Sequence, residues 1–230
     1  MGGRVGELSF GRRKVMTRRA RRSCFGAAAA LLLLSLASPA LARKGARISV
    51  ADDPSLKEGS PKLVLVELSD FQCPYCGLGA RDLLPKVYET YVRNGKLELM
   101  FLDLPLQMHP HAFKAAEAAA CAGDQKKFWD MHHLLFSNQR ALAPERLPGY
   151  AKELELDLPA FEKCLASGRH VAAIREDMRI AENLGIRGTP AYLVGRRIAG
   201  SDKVEILEVI KCLPPFETLA ERLNALLSAP

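Results

Sequence analysis

An unbroken apolar run, "KLVLVEL" over residues 62–68, lies just upstream of Cys73-Pro74-Tyr75-Cys76, where an amphipathic run begins. The first run is short and carries β-branched residues, which predicts a buried strand. After Pro74, the residues Ala80, Leu83, Leu84, Val87, Tyr88 and Tyr91 recur at helical spacing and mark one helix face. Pro85 interrupts that helix and should kink it. Asn94-Gly95 ends it. The next strand is "KLELMFLDL", 96–104. Strand, helix, strand is a βαβ unit, and its first loop carries two cysteines two residues apart.

Residues 109–185 read as helical throughout, punctuated by Pro, Gly and Asp, with Asp124 placed to cap one helix start. "TPAYLV" then reads as a strand, Gly195-Arg196 as a tight turn and "RIAG" as the hairpin partner. A last helical pair, 203–212 and 216–228, is split by Pro214-Pro215. This order predicts an α/β domain over 62–228, with a helical insertion at about 109–185. Residues 43–61 are polar and hold Pro54, Gly59 and Pro61, which predicts a flexible N-terminal arm.

The first 42 residues differ from the rest. A basic head is followed by the apolar "GAAAALLLLSLA" and by Ser38-Pro39-Ala40-Leu41-Ala42, the plan of a secretory signal peptide cut after Ala42. The competing reading is an uncleaved membrane anchor, because residues 24–42 just reach a bilayer span. Met16 competes with Met1 as the true start, since it would give the head a more usual length. Arg21-Arg22 is a weak twin-arginine signal. The segment holds eight of the 33 basic and one of the 26 acidic residues, which leaves 25 of each and no net charge on the remainder. The overall charge of +7 therefore belongs to the export signal. It makes no case for nucleic acid, or for stable membrane insertion once the signal is removed.

Of six cysteines, five stay after cleavage: 73, 76, 121, 164 and 212. Export implies a periplasmic or other extracytoplasmic compartment where disulfides persist. Cys73 would sit at a helix N-terminus, where unpaired N–H groups and the helix dipole favour a thiolate. Pro74 suits the first helical turn, where a missing N–H loses nothing. Cys76 lies one turn on and points inward, able to resolve a mixed disulfide formed at Cys73. Two other readings of the pair compete: zinc, with His109 and His111 as further ligands, and an inert disulfide, whose short loop would constrain little.

The strand, "FQCPYC", the kinked helix, the helical insertion and a late "GTP" before a hairpin resemble the DsbA-like thiol–disulfide oxidoreductases of the thioredoxin superfamily. The resemblance covers most of 62–225. It implies a thioredoxin fold with an inserted α-helical subdomain, Cys73 as nucleophile and Cys76 as resolving cysteine. It matches Glu67 to the acid beneath the site, a buried carboxyl that would exchange a proton with Cys76; the alternative is a strand-end acid in water. It matches Thr189-Pro190 to a cis-proline loop that offers backbone groups to an extended substrate; the alternative is a trans proline opening a strand. As in some relatives, Cys121 and Cys164 are expected to form a structural disulfide, against two buried free thiols. Cys212 is expected as a small core residue, His109 as a loop or capping residue, and His132, His133 and His170 as ordinary helix residues.

The dipeptide Pro74-Tyr75 tunes redox poise and is closer to glutaredoxins than to strongly oxidising members. The expected activity is disulfide formation in newly secreted, reduced proteins, with reoxidation by a membrane partner. A reductase or isomerase kept reduced, or a chaperone-like binding module, are the competing functions. No motif implies an organic cofactor or a metal.

Overall fold

The computed structural model describes residues 44–51 and 53–229; the expected signal peptide at 1–42 lies outside them. Six strands form one mixed sheet: β1 (Arg47–Ser49), β2 (Ser55–Leu56), β3 (Leu63–Ser69), β4 (Leu97–Asp103), β5 (Ala191–Arg197) and β6 (Lys203–Lys211). Their spatial order is β1-β6-β5-β3-β4-β2. Only β3 and β4 run parallel, joined by the helical connection that a parallel pair requires.

Every residue of β3 and β4 is buried, which accounts for apolar runs without alternation. Parity along β3 still sorts the two faces. Val64, Val66 and Leu68 pack with Ile180 and Leu184. Leu63 and Leu65 pack with Val87, Tyr91, Leu219 and Leu223. Each such side chain contributes about 1.5–3 kcal/mol when fully buried.

The helix after the cysteine pair is not uniform. It runs as α1 (Pro74–Leu78), a π-helical turn (Gly79–Leu83), α2 (Leu84–Val87) and a second π-helical turn (Tyr88–Val92). Pro85 has no N–H to donate, so the ladder cannot pass through it unbroken, and the wide turns take up the mismatch. The insertion comprises α3 (Ala112–Gly123), α4 (Phe128–Ser137), α5 (Leu147–Glu153), α6 (Leu158–Ser167) and α7 (Val171–Asn183), with a 3₁₀ turn at Pro144–Arg146. Helix α7 belongs to both layers: Ile180 and Ala181 lie on the sheet, while Ile174 joins the insertion's own core. Helix α8 (Phe216–Ser228) covers the opposite face. No helix among the described residues is long and apolar enough to cross a membrane.

Several expectations change. Residues 203–211 are strand β6, not helix. Val204 and Ile206 pack on one face of the sheet, and past the register shift opposite Gly195 Ile210 packs on the other. Gly195 is not a turn but a point inside β5 where the pairing with β6 shifts register. A Cβ there would lie 2.5 Å from Val204 Cγ1 and 2.6 Å from the Glu205 carbonyl oxygen, so the close approach of β6 demands glycine. The hairpin turns instead around Gly200, whose φ is +70°. The arm at 43–61 is not loose: β1 pairs with β6 and β2 with β4, at the two edges of the sheet.

Cys212, Asp124 and His170, the residue before α7, depart from their expected places, while His132 lies within α4 as expected. Cys212 is exposed, not core, because β6 ends at Lys211 and the next residue takes a left-handed φ of +70°. Asp124 ends α3 without capping α4, whose start at Lys127 has no side-chain cap. His132 is wholly buried against the rings of Phe101 and Phe136, at centroid distances of 5.2 and 4.8 Å. Burial lowers its pKa to about 3 and keeps it neutral. His170 pairs with Asp124.

Candidate active site

Cys73 is the N-cap of α1, with extended backbone (φ −71°, ψ 122°), and Pro74 opens the helix. The loop before it is held by Asp70. One Asp70 oxygen, Oδ1, accepts from the N–H groups of Gln72 (2.7 Å) and Cys73 (3.1 Å). The other, Oδ2, accepts from Leu106 N (2.8 Å) and bonds His109 Nδ1 (2.8 Å). A second brace comes from the insertion, where Gln139 Nε2 donates to the carbonyl oxygens of Phe71 (2.9 Å) and Cys73 (2.8 Å). His111 donates its backbone N–H to Gln72 Oε1 at 2.8 Å. Neither imidazole gathers with the two sulfurs, as the zinc reading of the pair required.

Cys73 and Cys76 are free thiols, and only Cys73 keeps any surface, about 5 %. The Thr189–Pro190 bond is cis. It brings the Thr189 carbonyl oxygen to 3.5 Å from Cys73 Sγ, which donates to it as a thiol. The Cys73 pKa falls to about 5. The main cause is the hydrogen bond from Cys76; burial opposes it, and the Thr189 side chain, not its carbonyl, adds to the lowering together with the N–H groups of Cys76 and Tyr75. The Cys76 thiol is pushed far up instead, by burial first, then by the bond to Cys73 and the charge of Glu67. One helical turn thus separates a sulfur held as an anion from one held as a neutral thiol.

Glu67 is on the β3 face beneath α1, two residues from Ser69 and in register with Tyr192 on β5. Its Oε1 accepts from Ser69 Oγ at 3.0 Å, while Oε2 and the Tyr192 hydroxyl have no partner. Burial raises the Glu67 pKa from 4.5 to about 8, so the carboxyl is protonated at neutral pH; the Ser69 bond offsets this only in part. Helix α1 can lie this close because residue 79 is glycine, where a Cβ would come within 2.8 Å of the Tyr192 hydroxyl. The alternative of a water-exposed strand-end acid does not apply.

Beside the sulfurs runs a groove of about 710 Å³, lined by Tyr75, Leu78, Ile186, Pro190, Cys212 and Leu213 among others. Tyr75 projects from it, 63 % exposed. Away from the site, Cys121 and Cys164 form a disulfide between α3 and α6, with Cα atoms 5.9 Å apart.

Sequence reasoning missed Asp70, Gln139, Ser69 and Tyr192, and gave His109 no partner. Asp70 left a local signal, since a loop aspartate commonly accepts the N–H two residues on, as it does here from Gln72. Gln139 left none, because its role depends on where the insertion folds back.

The family described as Thioredoxin matches residues 58–211. A Salinispora arenicola protein named Na(+)/H(+) antiporter NhaA 1 is 43 % identical over 147 residues, 63 % of this chain. The chain spans only about a fifth (22 %) of that protein's length. The Probable disulfide bond formation protein D of Bacillus anthracis is 28 % identical over 161 residues, 64 % of this chain and 72 % of that protein. Among solved structures, α-DsbA1 of Wolbachia pipientis superposes with a TM-score of 0.67 at 21 % identity, over 77 % of this chain and 92 % of that one.

Proposed function

The chain belongs to the thioredoxin family, and from that premise we propose that it is DsbA-like, an exported thiol–disulfide oxidoreductase forming disulfides in secreted proteins. The observation that carries this reading is geometric: Cys73 caps the start of a helix, Cys76 lies wholly buried one turn on, and the Thr189 carbonyl oxygen stands 3.5 Å from Cys73 Sγ. In the oxidised enzyme a substrate thiolate attacks Cys73 Sγ of the Cys73–Cys76 disulfide. Cys76 leaves and takes a proton from the Glu67 carboxyl. A second substrate thiolate then attacks the substrate sulfur of the mixed disulfide and expels Cys73 as a thiolate. The substrate gains one disulfide and the enzyme keeps two electrons, which a membrane partner removes. The Thr189 carbonyl and the neighbouring groove would hold an extended, reduced chain. The Cys121–Cys164 disulfide fits an oxidising, extracytoplasmic compartment.

A thiolate stabilised only in the reduced form makes that form favourable and the disulfide a strong oxidant. Equilibration with glutathione is expected to place the 73–76 couple nearer about −120 mV than −230 mV. Iodoacetamide labelling of the reduced protein should titrate with a midpoint near pH 5. A potential below about −230 mV would favour the reductase reading, and a midpoint near 8.5 would remove the basis of the oxidase reading.

Glu67→Gln is expected to slow exchange roughly a hundredfold, at the low end of what a placed proton donor contributes. It should also flatten the pH dependence of stability. Below pH 4.5 the carboxyl is protonated whether the chain is folded or not. Between 4.5 and about 8 it ionises only on unfolding, so the folded state loses stability as pH rises through that window. Urea unfolding at pH 5 and pH 8 should show the wild type losing on the order of 4 kcal/mol more than the variant. Equal losses would place Glu67 outside this role.

A further inference from the structure

Four side chains outside the exchange site can each turn a metal-ligating atom to one point. Cys121 lies in the last turn of α3, and Asp124 closes that helix. Cys164 lies in the last turn of α6; Gly168, with φ +63°, reverses the chain, and His170 precedes α7. The two sulfurs, an Asp124 oxygen and a His170 ring nitrogen all lie within 4.8 Å of one another. His170 Nε2 is 2.9 Å from Asp124 Oδ2, and Cys164 Sγ is 3.4 Å from the same oxygen. Arg169 pairs with Asp124 and donates Nε–H to Cys164 Sγ at 3.2 Å.

As a disulfide, the two sulfurs are poor ligands. As thiolates they complete a Cys₂AspHis set, with two ligands from each of two short chain segments, the usual plan of a tetrahedral zinc centre. We propose that the reduced form of this cluster is a zinc site, so that the insertion is fastened by a metal when Cys121 and Cys164 are thiols and by their disulfide when they are oxidised. Zinc–sulfur bonds of about 2.3 Å set two sulfurs about 3.8 Å apart in a tetrahedron. Cα atoms at 5.9 Å allow that separation by rotation of the side chains alone. Two thiolates, one carboxylate and Zn²⁺ sum to a single negative charge, and the Arg169 guanidinium beside them neutralises it. The cysteines are buried, but Asp124 and His170 are about a third and a quarter exposed, which leaves the ion a way in.

A newly made chain carries both groups as thiols. In the oxidised protein a dithiol reductant gives two electrons and two protons to the disulfide and becomes a cyclic disulfide itself. Zinc then displaces one proton from each thiol, and His170 binds as neutral imidazole with its proton on Nδ1. A small disulfide such as oxidised glutathione reverses the sequence: it accepts two electrons and two protons and leaves as two thiols, the Cys121–Cys164 bond forms, and the zinc ion dissociates.

The test uses a Cys73→Ser/Cys76→Ser background, which removes the other cysteine pair. This protein is reduced with dithiothreitol, desalted without oxygen and titrated with Co²⁺, then with Zn²⁺. One Co²⁺ per chain is expected, with thiolate-to-cobalt charge-transfer and tetrahedral ligand-field bands that Zn²⁺ abolishes. The disulfide form should give no bands. His170→Ala and Asp124→Ala, each folded first as the disulfide form, should bind the ion at least tenfold more weakly after reduction. Absence of the bands from the reduced protein overturns the proposal. So do bands undiminished in either variant, the behaviour of two cysteines in an unfolded chain.

Discussion

Cys73→Ser is expected to lower the rate of disulfide donation to a reduced substrate by at least about a thousandfold, to the level of uncatalysed exchange. Serine can neither hold the disulfide that the substrate attacks nor leave as a stabilised anion. Cys76 cannot take over, because it has no exposed surface and its thiol is pushed far from ionisation. The substitution removes one polarisable atom at a nearly buried helix start and leaves the Asp70 and Gln139 braces in place, so the fold should persist. Cys76→Ser should behave differently. Its Cys73 still attacks a disulfide but lacks an internal resolving thiol, so covalent adducts should accumulate on a non-reducing gel. Oxidative refolding of a reduced substrate measures the first variant. Retention of more than about a tenth of the wild-type rate would point to a binding function that does not need the sulfur.

The low pKa of Cys73 has a limited effect on rate at neutral pH. A thiol with pKa near 5 is almost wholly ionised at pH 7, against a few per cent for a free cysteine. Its intrinsic nucleophilicity falls as the pKa falls, and the two effects nearly cancel. The advantage appears in acid and in the leaving step. At pH 5 the same arithmetic favours Cys73 over a free thiol by roughly fortyfold.

The second large effect concerns stability. Replacing Cys121 and Cys164 with alanine opens a covalent loop with a sequence separation of 43. Loop-closure entropy puts the loss at about 4 kcal/mol. For a domain of this size that corresponds to a melting temperature lower by roughly 8–16 °C. Thermal unfolding followed by circular dichroism, without reductant, measures it. A change under about 2 °C would mean that the helices hold together equally well unlinked. Exchange should slow less than stability falls, since Gln139 reaches the cysteine loop from the segment after α4 rather than from α3 or α6.

Much of this architecture is legible in local pattern. The run at 62–68, the helix face from Ala80 to Tyr91 and the insertion's helices follow from periodicity, and Pro85 does disturb its helix. Misreading concentrates where one string satisfies two periods. "KVEILEVIK" satisfies helical spacing at Ile206, Val209 and Ile210, while as a strand it buries Val204 and Ile206 on one face and, past a bulge, Ile210 on the other; pairing with β5 and β1 decides for the strand. Gly195 and the 43–61 segment were misjudged for a related reason. A glycine beside a bulge and a polar stretch along a sheet edge resemble a turn and a tail until their partners are known. The cysteine motif and Thr189-Pro190 are visible as contiguous residues. Their approach across 116 positions, the Asp70–His109 bond and the seating of Glu67 beside Tyr192 are tertiary, and no single-sequence periodicity encodes them.

The two shortest strands, β1 and β2, occupy the outermost positions of the sheet. On the proposed function, the protein would meet many unfolded chains seeking a free ladder of amides and carbonyls. Here the long strands are already flanked, and the flanks are two or three residues long, too brief to template a growing fibril. On that proposal a client would line up along the proline loop, react and depart, while the rim of the sheet would give it little to polymerise upon.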